Sequence, residues 1–151
     1  MASTLGRCMQ SAIRNPAWVC FTWFGMTAGI SLLATPLRFT ASTITRPIAL
    51  DVGQVVFAAL NKAELMALVI LMIVVRASGQ ARSMWAVCGV LALILIAQSA
   101  WLLPDLAVRT QMVIDGGELP QSYVHAIYST LELSKLGILF VTGFVALSER
   151  K

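Results

Sequence analysis

The residues of this sequence that could do chemistry lie inside its apolar stretches. One stretch near the end of the chain carries four polar side chains at helical spacing: His125, Tyr128, Glu132 and Lys135. At about 100° per residue, steps of three, four and three residues keep all of them on one face of a helix. An imidazole, a phenol, a carboxylate and an ammonium on one face can bind a proton, a cation, a cofactor or a polar lipid headgroup.

A second apolar stretch, earlier in the chain, carries a shorter polar face. Asn61 and Glu64 share it with Phe57 and Leu68, again at helical spacing. Lys62 lies about 160° around the helix from Glu64 and therefore points elsewhere.

Two interpretations of these polar faces remain open. An ionisable side chain at the centre of a bilayer costs at least about 2.5 kcal/mol, so both faces should point into a helix bundle. There Lys135 could pair with Glu64, or with Glu132 on its own helix. The faces then form either a polar network that fixes helix register, with bonds of roughly 0.6–2 kcal/mol each, or a ligand site.

His125 does not define a metal or cofactor site by itself. Glu132, the nearest acid on the same face, lies about 10 Å along the helix, which is too far for one ion. A hydrogen bond to a neighbour or a lone axial haem ligand are the alternatives, so the sequence leaves metal and cofactor undefined. It contains no C-x-x-C pair, P-loop or Ser-His-Asp pattern, and an enzyme is less favoured than a binding or transport protein.

The elements that carry these faces are predicted from composition. The chain is 58% hydrophobic and 12% charged, with a mean hydropathy of +0.82, against roughly 25% charged residues in soluble domains. Blocks of about 20 apolar residues span a bilayer as helices. The sequence predicts an all-α membrane protein, a four-transmembrane-helix bundle, with helices at about 17–35, 52–75, 84–103 and 122–147.

Orientation follows from the arginines and lysines beside these blocks. One side of the predicted topology carries six cations: Arg7, Arg14, Arg76, Arg82, Arg150 and Lys151. The other side carries three cations, Arg38, Arg46 and Arg109, together with several acids. We therefore expect a bacterial-type inner membrane protein with both termini in the cytoplasm. The lipid bilayer is its expected surrounding, and the net charge of +4 implies no nucleic-acid partner.

The two halves of the chain resemble each other when shifted by 68 positions. The informative matches involve residue types uncommon in membrane helices: Pro36 with Pro104, and Glu64 with Glu132. This internal similarity predicts a parallel repeat of two tandem helical hairpins, 14–74 and 82–142. Chance similarity between hydrophobic segments is the alternative.

The last block, read as His125-x-x-Tyr128-Ser129-x-x-Glu132 after the proline-led segment LLPDLAVRTQMVI, carries a family resemblance. It resembles the four-helix membrane family of a human transmembrane protein associated with cisplatin resistance and its bacterial relatives. In that family a histidine opens the last helix, a small hydroxyl residue follows three later and an asparagine seven later. Here Tyr128 and Glu132 occupy those two places. The resemblance implies a polytopic membrane protein and no particular reaction.

The functional expectation combines these features. The sequence favours transport or binding of a small polar or cationic species by an intramembrane stripe: Glu64, Glu132, Lys135, His125, Asn61 and Tyr128. The alternative is an accessory or assembly subunit of a larger membrane complex. Either role is compatible with a homo-oligomer.

Overall fold

The computed structural model describes residues 14–117 and 122–148, and within them the fold is four helices without a strand. The helices are α1 (Ala17–Arg38), α2 (Arg46–Ser78), α3 (Arg82–Ile114) and α4 (Val124–Ser148). Each is long and apolar enough to cross a membrane. The predicted all-α, four-transmembrane-helix bundle is confirmed.

Helix α2 begins earlier than the apolar pattern alone indicates. It starts at Arg46, whereas the hydrophobic block becomes continuous near residue 52. Thr45 is extended (φ −75°, ψ 157°) and Pro47 lies in the first turn. A proline there is favourable because its missing N–H would have no partner in the helix.

Helix α3 continues well beyond the predicted end of the third span. The sequence placed that end near residue 103, with a proline-led connection after it, but the helix runs to Ile114. Asp105 lies in the turn after the proline and pairs with Arg109 (Nε to Oδ2, 3.0 Å). That i, i+4 pair supports a helix in a segment too polar to be counted as a span.

Two π-helical segments explain how helices can contain the prolines. Gly29–Ala34 in α1 precedes Pro36, and Gln98–Leu102 in α3 precedes Pro104. Inside a helix a proline removes one N–H donor and clashes with the carbonyl four residues earlier. The wider π turn relieves that clash, and such turns frequently occur at functional sites.

The near end of the bundle, where α1 begins and α4 ends, is closely packed. Asn15 donates from Nδ2 to the carbonyl of Ala146 (3.0 Å), and the Arg14 guanidinium contacts the carbonyl of Ala77. Next to them lies a buried apolar core that includes Trp23, Leu71, Val75, Leu91, Leu95 and Leu139. At Gly79 the chain adopts φ 65°, a left-handed conformation that suits glycine, and turns from α2 into α3.

The outer surface of the helices is apolar. Leu93, Val55, Met66 and Phe140 are 68%, 66%, 66% and 46% exposed. Soluble proteins rarely expose contiguous apolar surface of this kind. The surface is that of a bundle surrounded by lipid.

Candidate functional site

Lys135 is the centre of the polar group that the structure assembles. Its ammonium lies 2.6 Å from Glu64 Oε1 and 2.9 Å from Glu132 Oε2, and it donates to Gln98 Oε1 at 3.1 Å. Three acceptors match the three protons of an ammonium. Glu64, Lys135 and Gln98 are fully buried, and Glu132 is 3% exposed. Both pairings that the sequence left as alternatives are therefore present together, and we call these four residues the polar centre.

The two carboxylates of the polar centre differ in their hydrogen bonding. Glu132 is satisfied at both oxygens: Ser31 donates to Oε1 and Gln98 Nε2 donates to Oε2, each at 2.8 Å. Glu64 receives all its donors at one oxygen. Trp23 Nε1 (3.0 Å) and Thr27 Oγ1 (2.8 Å) both donate to Oε1, which also contacts Lys135.

The second oxygen of Glu64 is buried without a partner. Among the described residues, nothing hydrogen-bonds to Glu64 Oε2, and the same holds for Asn61 Nδ2. These atoms belong to residues one helical turn apart on α2, and one is an acceptor while the other is a donor. A buried polar atom without a partner costs roughly 1–3 kcal/mol, and more if it is charged. A positively charged guest at Glu64 Oε2 would remove the part of that cost that comes from the carboxylate oxygen.

The polar centre carries more negative than positive charge. With its groups ionised, two carboxylates and one ammonium sum to −1. Glu64 follows Asp51 by 13 residues and precedes Arg76 by 12, so it lies about 18–20 Å along the helix from either. An uncompensated charge at this depth is expensive. One proton or one monovalent cation would bring the sum to zero.

The remaining predicted residues lie progressively farther from the polar centre. The carbonyl oxygen of the Asn61 side chain contacts the Ser99 hydroxyl at 2.9 Å. Tyr128 is buried with its ring edge-on to Phe57 (centroids 5.7 Å apart, 77° between planes). His125 is exposed near the start of α4. Of the four polar residues on one face of α4, only Glu132 and Lys135 belong to the polar centre.

A cavity of about 440 Å³ lies at the far end of the bundle, where α1 ends and α4 begins. Ser31 and Ser99, which contact Glu132 and Asn61, line its inner part together with Tyr128. Arg38 and His125 line its outer part. The polar centre thus borders a space that reaches residues near the end of the helices.

Several residues of the site were missed from the sequence: Trp23, Thr27 and Ser31 on α1, Gln98 and Ser99 on α3, and Arg38 at the cavity. The spacing of most of these residues in the sequence could have identified them. Trp23, Thr27 and Ser31 recur every four residues, which places them on one helix face. Gln98 is the one amide in the third apolar block, and Ser31 and Ser99 are 68 positions apart, as are the two glutamates.

The described part of the chain contains no candidate metal centre. No group of three or more His, Cys, Asp or Glu side chains there could hold a metal ion. Cys20 and Cys88 are buried free thiols within the apolar core.

No protein-family model, curated protein or solved structure matches this chain. The resemblance of the last helix to the four-helix membrane family stays a prediction based on its motif. We therefore infer the function from the chemistry of the polar centre and of the cavity.

Proposed function

We propose that this protein binds a proton or a small monovalent cation at the polar centre, in the middle of the membrane, and exchanges it through the cavity. The observation that carries the proposal is the buried Oε2 of Glu64, which has no hydrogen-bond partner among the described residues. It belongs to a group of side chains whose charges sum to −1 when all of them are ionised. A buried acceptor without a partner, within a group of charges that sums to −1, favours the uptake of one positive charge.

A purely structural network is less well supported by these contacts. Fixing helix register needs polar groups that satisfy one another, and the ammonium with Glu132 and Gln98 already does so. Glu64 adds a second carboxylate with one oxygen unused. Since buried ion pairs seldom stabilise a fold more than apolar residues do, an extra buried acid has no evident structural benefit.

Hydroxyl groups provide the contact between the centre and the cavity. Ser31 bonds to Glu132 and Ser99 lies against Asn61, and both line the cavity. A hydroxyl donates and accepts at once, so it can pass a proton or solvate a small cation. Exchange is expected on the side of the membrane that the far end of the bundle faces.

The charge asymmetry of the flanking segments supports a specific placement. We propose that the protein lies in a bacterial-type inner membrane with both termini in the cytoplasm. The far end and the mouth of the cavity then face the outside. The repeated hairpins are part of the same proposal, supported by the equal spacing of Pro36 with Pro104 and of Ser31 with Ser99. The relationship to the four-helix family is proposed on the motif that begins at His125.

Uptake and release of the ion test the function. The purified protein is placed in nanodiscs, which leave both ends of the bundle accessible, and a step in the concentration of protons, Na⁺ or K⁺ is applied in the presence of a pH-sensitive or cation-sensitive dye. Wild type should take up one of these ions and release it when the step is reversed, and Glu64→Gln should abolish this exchange, because the amide keeps the shape but not the charge. Asp105→Asn, which removes a carboxylate outside the polar centre, is the matched control. Equal exchange by wild type and Glu64→Gln would contradict the proposal.

The accessory-subunit function has one observation in its favour. Lys62, in the middle of α2, is exposed on a face that is otherwise apolar: Val55, Met66, Val69 and Ile73. A lysine that faces hydrocarbon is costly unless an acid on another helix meets it. Glu64 and Glu132, the acids at similar depth in the described part of this chain, are buried, so a second copy would not supply one from them.

Cross-linking separates this second function from the first. A carbodiimide joins a lysine directly to a carboxylate, so a neighbouring helix with its own Asp or Glu should be linked to Lys62 in native membranes. Mass spectrometry should locate the link, Lys62→Leu should abolish it, and Lys62→Arg should retain the stoichiometric partner during purification. A wild-type protein that purifies alone and gives no Lys62 link would exclude this function.

A further inference from the structure

Arg38 is a cation of the cavity, and no acid among the described residues forms an ion pair with it. Its guanidinium donates from Nη1 to the carbonyl of Ala49 (3.2 Å) and from Nη2 to Thr35 Oγ1 (3.3 Å), and it lines the cavity. None of the described residues that line this cavity is acidic. A guanidinium has five N–H donors, so part of its hydrogen-bonding capacity remains available.

The position of the guanidinium is fixed by α2. A Cβ atom added to Gly53 would lie 2.6 Å from Arg38 Nη1. The absence of a side chain at Gly53 lets the guanidinium lie directly against α2, next to the carbonyl of Ala49. A cation held in this way is ready for a ligand, because little side-chain freedom is lost on binding.

The rest of the cavity is mostly apolar. Its walls include Leu32, Leu50, Phe57, Leu103 and Leu106. Its volume of about 440 Å³ lies within the roughly 300–1,000 Å³ typical of small-molecule sites. Arginine is the side chain best suited to bind a planar or tetrahedral anion through two parallel hydrogen bonds.

We infer that this cavity binds an amphipathic anion, with a carboxylate or phosphate head at Arg38 and an apolar body among the leucines and Phe57. Such a molecule matches both the uncompensated cation and the apolar walls. The inference rests on Arg38 and the cavity walls and not on the charge of the polar centre, since the hydrogen bonds of Arg38 go to Ala49 and Thr35.

Binding of radiolabelled dodecanoate to the full chain tests the inference. The protein is placed in phosphatidylcholine nanodiscs, and binding to empty nanodiscs is subtracted. Wild type should bind dodecanoate saturably, at about one per chain. Arg38→Met should weaken binding about tenfold or more, as expected for loss of a charged hydrogen bond. Arg46→Met, which removes an exposed cation at the same end of the bundle, should leave binding unchanged.

A second variant separates the position of the charge from its presence. Gly53→Ala keeps Arg38 but displaces its guanidinium, and it should also weaken dodecanoate binding. This variant keeps the inference testable if Arg38→Met does not fold, which size-exclusion chromatography and circular dichroism will show. Unchanged affinity in a folded Arg38→Met, or in Gly53→Ala if Arg38→Met fails to fold, would overturn the inference. An equal loss in Arg46→Met would also overturn it.

Competition identifies the kind of anion. Dodecanol and dodecyltrimethylammonium should compete poorly, because neither has an anionic head, and acetate should compete poorly because it lacks an apolar body. Equal competition by any of these three would overturn the inference. Displacement by phosphatidylglycerol added to the nanodisc would support a bilayer lipid as the ligand. Displacement by dodecyl phosphate, without an effect of phosphatidylglycerol, would support a single-chain anion.

Discussion

The interiors of the near and far halves of the bundle differ in packing and in polarity. In the near half, apolar side chains such as Leu71, Leu91 and Leu139 are fully buried, and Asn15 ties α1 to the end of α4. In the far half, the helices leave a cavity of about 440 Å³ above a buried group of ions. The difference indicates that stability comes from the near half, while the far half can carry charged groups and space for ligands.

The boundary between the halves is where the helices depart from regular α geometry. Both π-helical segments, Gly29–Ala34 and Gln98–Leu102, lie at this level, and they contain Ser31 and Gln98, which bond to Glu132. A wider turn brings a polar side chain out of its regular α-helical register. The departure from regular geometry and the polar centre therefore occur together.

The largest expected effect belongs to the polar centre. Lys135→Met leaves two buried carboxylates without their cation and should destabilise the protein by about 3–5 kcal/mol. Adding Glu64→Gln to Lys135→Met should recover part of that loss, because the uncompensated charge is reduced. Unfolding in detergent, followed by circular dichroism, measures the cycle. Strictly additive losses of stability would contradict direct pairing between Glu64 and Lys135. Lys62→Met, which removes an exposed lysine outside the polar centre, is the control.

A smaller effect is expected in the near half, at the contact between α1 and α4. A Cβ atom at Gly143 would lie 2.8 Å from Phe21 Cζ, so Gly143→Ala should cost about 1–3 kcal/mol through overpacking. Gly137→Ala, on the same helix with nothing within 4 Å of the added atom, should be neutral or stabilising by up to about 1 kcal/mol. Thermal unfolding of the two variants compares them. Equal melting temperatures would show that the near half is not packed as described.

A single hydrogen bond to the polar centre should matter less. Thr27→Val keeps the shape but removes one of the donors to Glu64 Oε1, leaving Trp23 and Lys135 in place. A loss of about 1 kcal/mol is expected. Leu91→Ala in the near half should cost about 2–5 kcal/mol, and the same unfolding assay measures both. A larger loss for Thr27→Val than for Leu91→Ala would reverse the assignment of stability to the near half.

The smallest change in stability is expected for two cysteine substitutions that test which half of the bundle faces which side of the membrane. Single cysteines at Ser83 and at Asp115, in a background without the native cysteines, should change stability by no more than about 0.5 kcal/mol. In intact cells an impermeant thiol reagent should label position 115 and leave position 83 unlabelled. The opposite pattern would place the cavity mouth on the cytoplasmic side.

The sequence predicted the helices and part of the polar centre for clear physical reasons. Apolar runs of about 20 residues identify spans, and helical periodicity places Glu132 and Lys135 on one face. Periodicity places residues on one face of a helix but does not give the register between helices. The hydrogen bonds of Gln98 and Ser31 to Glu132 could therefore not be predicted from the sequence. It also gave no sign that a π turn lets α3 continue past Pro104.

Counting the positive charge bound at the polar centre tests whether this site takes up one proton or one monovalent cation. Purified wild-type protein should hold one equivalent per chain: either one ²²Na⁺ or ⁸⁶Rb⁺ by equilibrium dialysis, or one buried carboxylic acid, visible as a C=O stretch in infrared spectra. Glu64→Gln should remove whichever signal the wild type gives, while Asp105→Asn should keep it. If the wild type holds neither a bound cation nor a protonated carboxyl group, the polar centre is a structural network and the proposed function is wrong.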